Sequence, residues 1–286
     1  MEHNSIHSNK IRAVNPIKYK LLALDVDGTI VGNNMLIPKQ NKLAIRAAAS
    51  CGIHVVLCSG RSYASLRRFV DELELTALNN YAVSFNGCVM HNTYTNEIIR
   101  NFKMPTATAL QILNQLKQFD VDPVVYWDIY GIYANTNRKY ADIYLKTCGA
   151  TPTFINNYAE ITQDAIYKII ALGDNDTLKA VERHFSQQIG NPFNMFFSGH
   201  YLFEFCNPIA SKGAALSHIC SLLGINIEET IAVGDSDNDI SMISSAGLGV
   251  AMQNANDHVK SFASYVTTNN CINCGVTEVI EKFILS

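Results

Sequence analysis

Short apolar runs that stop at glycine or an acid recur along the chain, and between them apolar residues return at helical spacing. Lys20-Leu21-Leu22-Ala23-Leu24-Asp25 is apolar until Asp25, the pattern of a strand buried on both faces of a parallel sheet. Pro38 opens a helix, where its missing N–H costs nothing, with Leu43, Ala44 and Ala47 as the buried stripe. Ile53 to Cys58 is the next strand and ends at Ser59-Gly60-Arg61; Leu66, Phe69 and Val70 mark the helix after it. Tyr81 to Phe85 is a third strand, closed by the turn pair Asn86-Gly87. The grammar returns late in the chain: a helix over Lys212 to Leu223, a strand over Thr230 to Val233, a helix over Asp239 to Ser245, and short strands at Gly249 to Met252 and Tyr265 to Thr267. Such alternation predicts an α/β fold, a Rossmann-like parallel sheet with helices on both faces.

The middle reads differently. Pro105 to Phe119 fits an amphipathic helix through Ala109, Leu110, Leu113 and Leu116, and Val124 to Ala134 has the aromatic and β-branched content of strands. A helix near Arg138 to Cys148, a strand over Ala165 to Leu172, a helix through Lys179 to His184 and strands at Phe193 to Phe197 and Tyr201 to Phe205 follow. The expected organisation is one discontinuous core domain, residues 1–89 and 205–286, interrupted by an inserted α+β cap domain over 90–204. Tyr126, Trp127, Tyr130 and Tyr133 either close over a substrate or fill the insert's own core; His91, His184 and His200 carry no signal.

Composition narrows the classes. A chain of 286 residues, 48% hydrophobic, has material for a substantial core, and a net charge of −3 offers no basic field for nucleic acid. No apolar run is long enough to cross a bilayer. Met1 to Lys18 is polar, expected to be frayed, and unlike a signal peptide. The expectation is a cytoplasmic protein with reduced cysteines, a monomer or weak homodimer without nucleic-acid or membrane partners. Cys271 and Cys274 have a Cys-x-x-Cys spacing, weak as a zinc or redox signal because no second pair completes it.

The chemistry gathers where strands end. Asp25-Val26-Asp27-Gly28-Thr29 follows the first apolar run, and Gly234-Asp235-Ser236-Asp237-Asn238-Asp239 follows a late one. In doubly wound sheets, reactive groups collect beyond the carboxyl ends of strands. Asp25 is then placed to attack phosphorus and Asp27 to carry a proton, with a bound Mg²⁺ offsetting the crowded charge and Asp235 as its third contributor. The competing reading is structural: Asp27-Gly28 a tight turn, Asp25 a helix cap, Ser59 the cap of the next helix, and Lys212 a solvent-facing residue in the first turn of its helix.

Together these motifs resemble the haloacid-dehalogenase-like hydrolase superfamily. Asp25-Val26-Asp27-Gly28-Thr29 is similar to its first motif, Ser59 after a strand to the second, Lys212 to the third, and Gly234 to Asp239 to the fourth. Phe85-Asn86-Gly87, Ser211-Lys212-Gly213 and Val250 to Ala255 followed by Lys260, with the large insert, resemble its Cof-type phosphatase branch with an α/β cap. The resemblance implies Asp25 as nucleophile and Mg²⁺ ligand, and Asp27 as general acid and base with its carbonyl on the metal. It implies Asp235 as a metal ligand, with Asn238 and Asp239 orienting the groups around it. Ser59 and the N–H groups near Asp27 and Gly60 then hold phosphate, and Lys212 offsets charge; Thr29, Arg61 and Asn86 are candidates to lie near substrate. The implied activity is Mg²⁺-dependent hydrolysis of a small phosphorylated metabolite, a sugar phosphate or phosphorylated cofactor, through an aspartyl-phosphate. A non-hydrolysing phosphometabolite-binding protein and a phosphotransferase or mutase are the alternatives. One departure stands out: the loop from Asn269 to Val276 is neutral where relatives carry acids, leaving Asn269 or Asn270 to supply that contact.

Overall fold

The computed structural model describes residues 18–76, 80–129, 131–135, 138–148, 151–188, 190 and 192–286. Residues 1–17 of the polar amino-terminal segment, and Tyr130, lie outside the described residues.

The first part of the core runs β1 (Leu21–Leu24), α1 (Lys39–Ser50), β2 (His54–Cys58), α2 (Tyr63–Glu72), β3 (Tyr81–Ser84), β4 (Val89–Asn92) and β5 (Ile98–Asn101). The insert follows as β6 (Met104–Pro105), α3 (Thr106–Leu116), β7 (Asp122–Tyr126), β8 (Ile132–Ala134), α4 (Lys139–Cys148), β9 (Thr153–Phe154), β10 (Ala165–Ile166), β11 (Lys168–Leu172), α5 (Asn175–Ser186), β12 (Asn194–Gly199) and β13 (Leu202–Cys206). The chain then returns to the core as α6 (Lys212–Leu223), β14 (Thr230–Gly234), α7 (Ile240–Ser245), β15 (Leu248–Ala251), α8 (Asp257–Lys260), β16 (Tyr265–Val266) and α9 (Gly275–Phe283).

The core sheet has the order β16-β15-β14-β1-β2-β3-β4-β5. It is parallel from β16 to β3, whereas β4 and β5 pair antiparallel, so the sheet is mixed. The apolar run of β1 is explained by cover on both sides. Leu22 and Leu24 pack with Ile45 of α1, Phe69 of α2 and Val279 of α9, whereas Leu21 and Ala23 pack with Leu216 and Ile219 of α6 and Met242 of α7.

Two expectations change. The buried positions of α1 are Asn41, Ala44, Ile45 and Ala48, while Leu43 is exposed. The stripe is turned because Asn41 Oδ1 accepts from the N–H and Oγ of Thr277 in α9, which directs that face inward. Strand pairing also divides the chain later than 90 and 204: the turn at Asn86-Gly87 leads into β4, which pairs with β3, so 90–101 extend the core sheet. The insert's own sheet, β12-β13-β11-β7-β8-β9, ends at Cys206.

One face of that second sheet packs on α3 and α5 through Val125, Ile169, Phe203 and Phe205. Its other face packs on α4 and on Phe85, Cys88 and Val89 of the core. The insert therefore sits over the ends of the core strands. Among the described residues no helix is long and apolar enough to cross a membrane.

Candidate active site

Adjacent parallel strands end together, and that brings the acids together. β1 and β14 are in register with Leu24 opposite Val233, and the N–H of Asp25 donates to the Val233 carbonyl at 3.0 Å. Gly28 is needed here. Its φ is +80°, and a Cβ on it would lie 2.2 Å from Asp235 Oδ2, a separation no side chain tolerates.

Lys212 is the first residue of α6, capped by Ser211, and is fully buried. A cation at a helix amino terminus opposes the dipole, and a buried ammonium needs partners. It donates to Asp25 Oδ1 and to Asp239 Oδ1, both at 2.5 Å. Asp239 uses its other oxygen to accept the N–H groups of Asp235 and Ser236, each at 3.0 Å. The solvent-facing reading of Lys212 is thereby excluded, and Asp239 is committed to holding Lys212 and the loop after β14.

Asp25, Asp235 and Asp239 offer carboxylate oxygens that all lie within 4.8 Å of one another. One ammonium does not balance this charge. Burial, then the charge of Asp239, push the Asp25 carboxyl up to about 7 against the pull of Lys212. Burial followed by Asp25 and Asp239 raises Asp235 well above the usual carboxylate range. Hard oxygen donors crowded in a site short of positive charge fit a divalent ion such as Mg²⁺. Since Asp239 is occupied, Asp25 and Asp235 are the side chains that would hold it. Asp235 is itself oriented by Thr29 Oγ1 on Oδ1 at 3.4 Å and by Asn254 Nδ2 on Oδ2 at 3.3 Å.

Asp27 is set apart from this cluster. Its side chain is about half exposed and is gripped by Arg61 through paired contacts, Nε to Oδ2 and Nη2 to Oδ1, both at 2.7 Å. Arg61 also donates to Ser65 Oγ at 2.9 Å, so it turns toward the core rather than toward solvent. Ser59 is buried and its Oγ accepts the N–H of Arg61 at 3.2 Å. The cap of α2 is Ser62, whose side chain accepts from the Ser65 N–H, which removes the capping account of Ser59. A Cβ on Gly60 would meet Asn86 Nδ2 at 3.1 Å. Asn86, with φ +54°, accepts from Asn238 Nδ2 at 2.9 Å, so the second and fourth motif loops are joined through it.

The structure also brings in residues to which the sequence reading gave no role. Asn254, not Asn269 or Asn270, reaches Asp235, and it donates as well to the Gly28 carbonyl at 2.9 Å. Asn269 Nδ2 instead donates to Glu278, and Asn270 Oδ1 accepts from the Asn273 N–H. From the insert, Lys168 and Glu204 form a buried ion pair at 2.9 Å beside Gly60 and Asn86. The signal for both was present: each is a lone charge inside an apolar strand. Cys271 and Cys274 join no cluster of metal-ligating side chains among the described residues. Trp127 and Tyr133 stack at 5.6 Å and pack on the insert's own core.

The sequence matches the haloacid dehalogenase-like hydrolase family over residues 22–280. The Bacillus subtilis protein YxeH is 30% identical over 274 residues, covering 94% of this chain and 99% of that protein. A 5-amino-6-(5-phospho-D-ribitylamino)uracil phosphatase of Bacillus subtilis is 30% identical over 277 residues, covering 94% of this chain and 97% of the enzyme. Among solved structures, a haloacid dehalogenase-like hydrolase from Bacteroides thetaiotaomicron superposes with a TM-score of 0.80 at 28% identity, covering 92% of this chain and 99% of that one.

Proposed function

The chain belongs to the haloacid dehalogenase-like hydrolase family and is a phosphatase, and on that premise we propose that it hydrolyses small phosphomonoesters, a sugar phosphate or a phosphorylated cofactor, with Mg²⁺ held by Asp25 and Asp235. The observation that carries the reading is the buried Lys212 joining Asp25 to Asp239 beneath the acidic cluster. Such a bridge is costly as a structural element and suits a site that must receive a dianion.

The residues divide the reaction as follows. Asp25 attacks phosphorus; its carboxylate oxygen forms the new P–O bond as the ester P–O bond breaks, giving an aspartyl-phosphate. Asp27 gives its proton to the departing alkoxide. Water then attacks the aspartyl-phosphate, Asp27 takes a proton from it, and Asp25 is released with inorganic phosphate. Arg61 steadies the ionised Asp27 between the two steps and must loosen for the acid step. Ser59 Oγ and the N–H groups near Asp27 and Gly60 hold phosphoryl oxygens, and the charge of Lys212 favours the ionised form of Asp25 against the burial that raises it. A bound Mg²⁺ supplies charge neutralisation, so that dianion and carboxylates share one small volume.

The insert, seated over the strand ends, selects the leaving group in this reading, and the setting is the cytoplasm. The test is phosphate release from a panel of sugar phosphates, nucleotides and phosphorylated cofactors, with and without Mg²⁺. The substrate in the name of the Bacillus subtilis relative, 5-amino-6-(5-phospho-D-ribitylamino)uracil, enters that panel. Metal-dependent release is expected, and Asp25→Asn abolishes it while the protein remains folded. Full turnover by that variant would remove Asp25 as nucleophile.

A further inference from the structure

The insert places a charged pair where an apolar contact would serve packing alone. Lys168 begins β11 and Glu204 lies on the neighbouring β13, and both are buried. Buried ion pairs contribute little net stability compared with apolar residues of the same volume, so the contacts of this pair need another account. Two of them leave the insert. Lys168 Nζ donates to both oxygens of Glu204, at 3.0 and 2.9 Å, and to the main-chain carbonyl of Gly60 at 2.8 Å. Glu204 Oε2 accepts from Asn86 Nδ2 at 3.0 Å, and its Oε1 accepts from Ser198 Oγ at 2.7 Å.

The contacts to Gly60 and Asn86 end on the phosphate side of the site, while Ser198 holds Glu204 from β12 within the insert. The Gly60 carbonyl shares a peptide unit with the Arg61 N–H, and that N–H donates to Ser59 Oγ at 3.2 Å. A cation on the carbonyl polarises the peptide and strengthens its N–H as a donor. With its lone pair engaged, the Ser59 hydroxyl is left to aim its own hydrogen at a phosphoryl oxygen. On the other arm, Glu204 fixes which way the Asn86 amide faces. Its nitrogen meets the carboxylate, so its oxygen meets Asn238 Nδ2 in the loop that carries Asp235.

We propose that the Lys168–Glu204 pair is a positioning device through which the seated insert orders the phosphate-binding groups, Lys168 through the Gly60–Arg61 peptide to Ser59 and Glu204 through Asn86 to Asn238. The proposal rests on the phosphatase reading of the site. It makes the insert part of the catalytic assembly as well as a selector of substrate.

The test compares wild type, Ser59→Ala, Lys168→Met, Glu204→Gln and the Lys168→Met/Glu204→Gln double variant on one phosphomonoester substrate found in the panel. The double variant removes both charges and strands neither, so it is expected to fold, checked by circular dichroism and thermal melting. Its kcat falls about tenfold to a hundredfold, below the loss for a directly contacting donor, while KM stays within about threefold. In a Ser59→Ala background, adding Lys168→Met lowers kcat by less than about threefold, because interacting residues are not additive. Should the double variant unfold, Lys168→Met alone, which withdraws the cation from the Gly60 carbonyl while Glu204 keeps its Asn86 and Ser198 donors, carries the same kcat and KM test. A folded variant with wild-type kcat, a loss confined to KM, or full additivity with Ser59→Ala overturns the proposal. A wild-type protein that releases no phosphate from any substrate overturns the phosphatase reading itself, and this proposal with it.

Discussion

Lys212 shows how much rests on one side chain. It is buried at the start of α6 and bridges Asp25 and Asp239. Lys212→Met keeps the volume but leaves buried carboxylates without their cation. The expected loss is about 3–5 kcal/mol of stability in chelator-treated protein, read by urea denaturation, together with loss of turnover. Arg61→Lys is the milder probe: a lysine cannot reproduce the paired grip on Asp27. It should lower kcat by about tenfold with little change in melting temperature; unchanged kinetics would detach Arg61 from the acid step. The acids were legible at this scale because a charged cluster at the end of an apolar run has few structural uses. Lys168 and Glu204 were passed over because a single charge in a strand has many explanations, and only tertiary contacts showed that they meet. Asn254 went unassigned for a related reason, since its partner Asp235 belongs to a different loop.

At the scale of elements, the turn at Phe85-Asn86-Gly87 is where sequence and structure diverge most usefully. Asn86-Gly87 was read correctly as a turn, but the pattern could not show that it closes a hairpin between β3 and β4. Nor could it show that the turn packs on the start of α6. Gly87 has φ +98°, and a Cβ there would lie 2.3 Å from the main-chain oxygen of Ser211, the residue that caps Lys212's helix. Backbone on backbone cannot give way cheaply. Gly87→Ala should therefore cost about 2 kcal/mol or more and shift Lys212, lowering kcat beyond what the lost folded fraction explains. Chemical denaturation paired with active-site-normalised turnover checks both. The misread face of α1 has the same origin: Asn41 is buried because it bonds Thr277 in α9, a helix far along the chain.

For the whole molecule, the acid limb of stability is set by opposed groups, and one of them lies outside the acidic cluster. His91 of β4 is buried, stacked on Tyr63 at 3.7 Å, and burial lowers its imidazole from the ordinary 6.5 to about 4. Between those values the unfolded chain binds the proton and the folded one does not. The contribution of His91 is therefore complete above about 6.5 and is lost as the pH falls toward 4, about 2–3 kcal/mol in all. Asp25 and Asp235 act in the other direction in metal-free protein. Their carboxyls are raised on folding, so their contribution favours the folded chain at low pH and is lost as Asp25 ionises on the way to about 7. A single denaturation curve sums these slopes and identifies neither. The difference between wild type and His91→Phe, which keeps the stack with Tyr63, isolates the histidine because the acids are common to both. That difference should move in favour of the variant by about 2–3 kcal/mol between pH 6.5 and pH 4. A flat difference across that interval would mean that the folded protein accepts a proton on His91 as readily as the unfolded chain does.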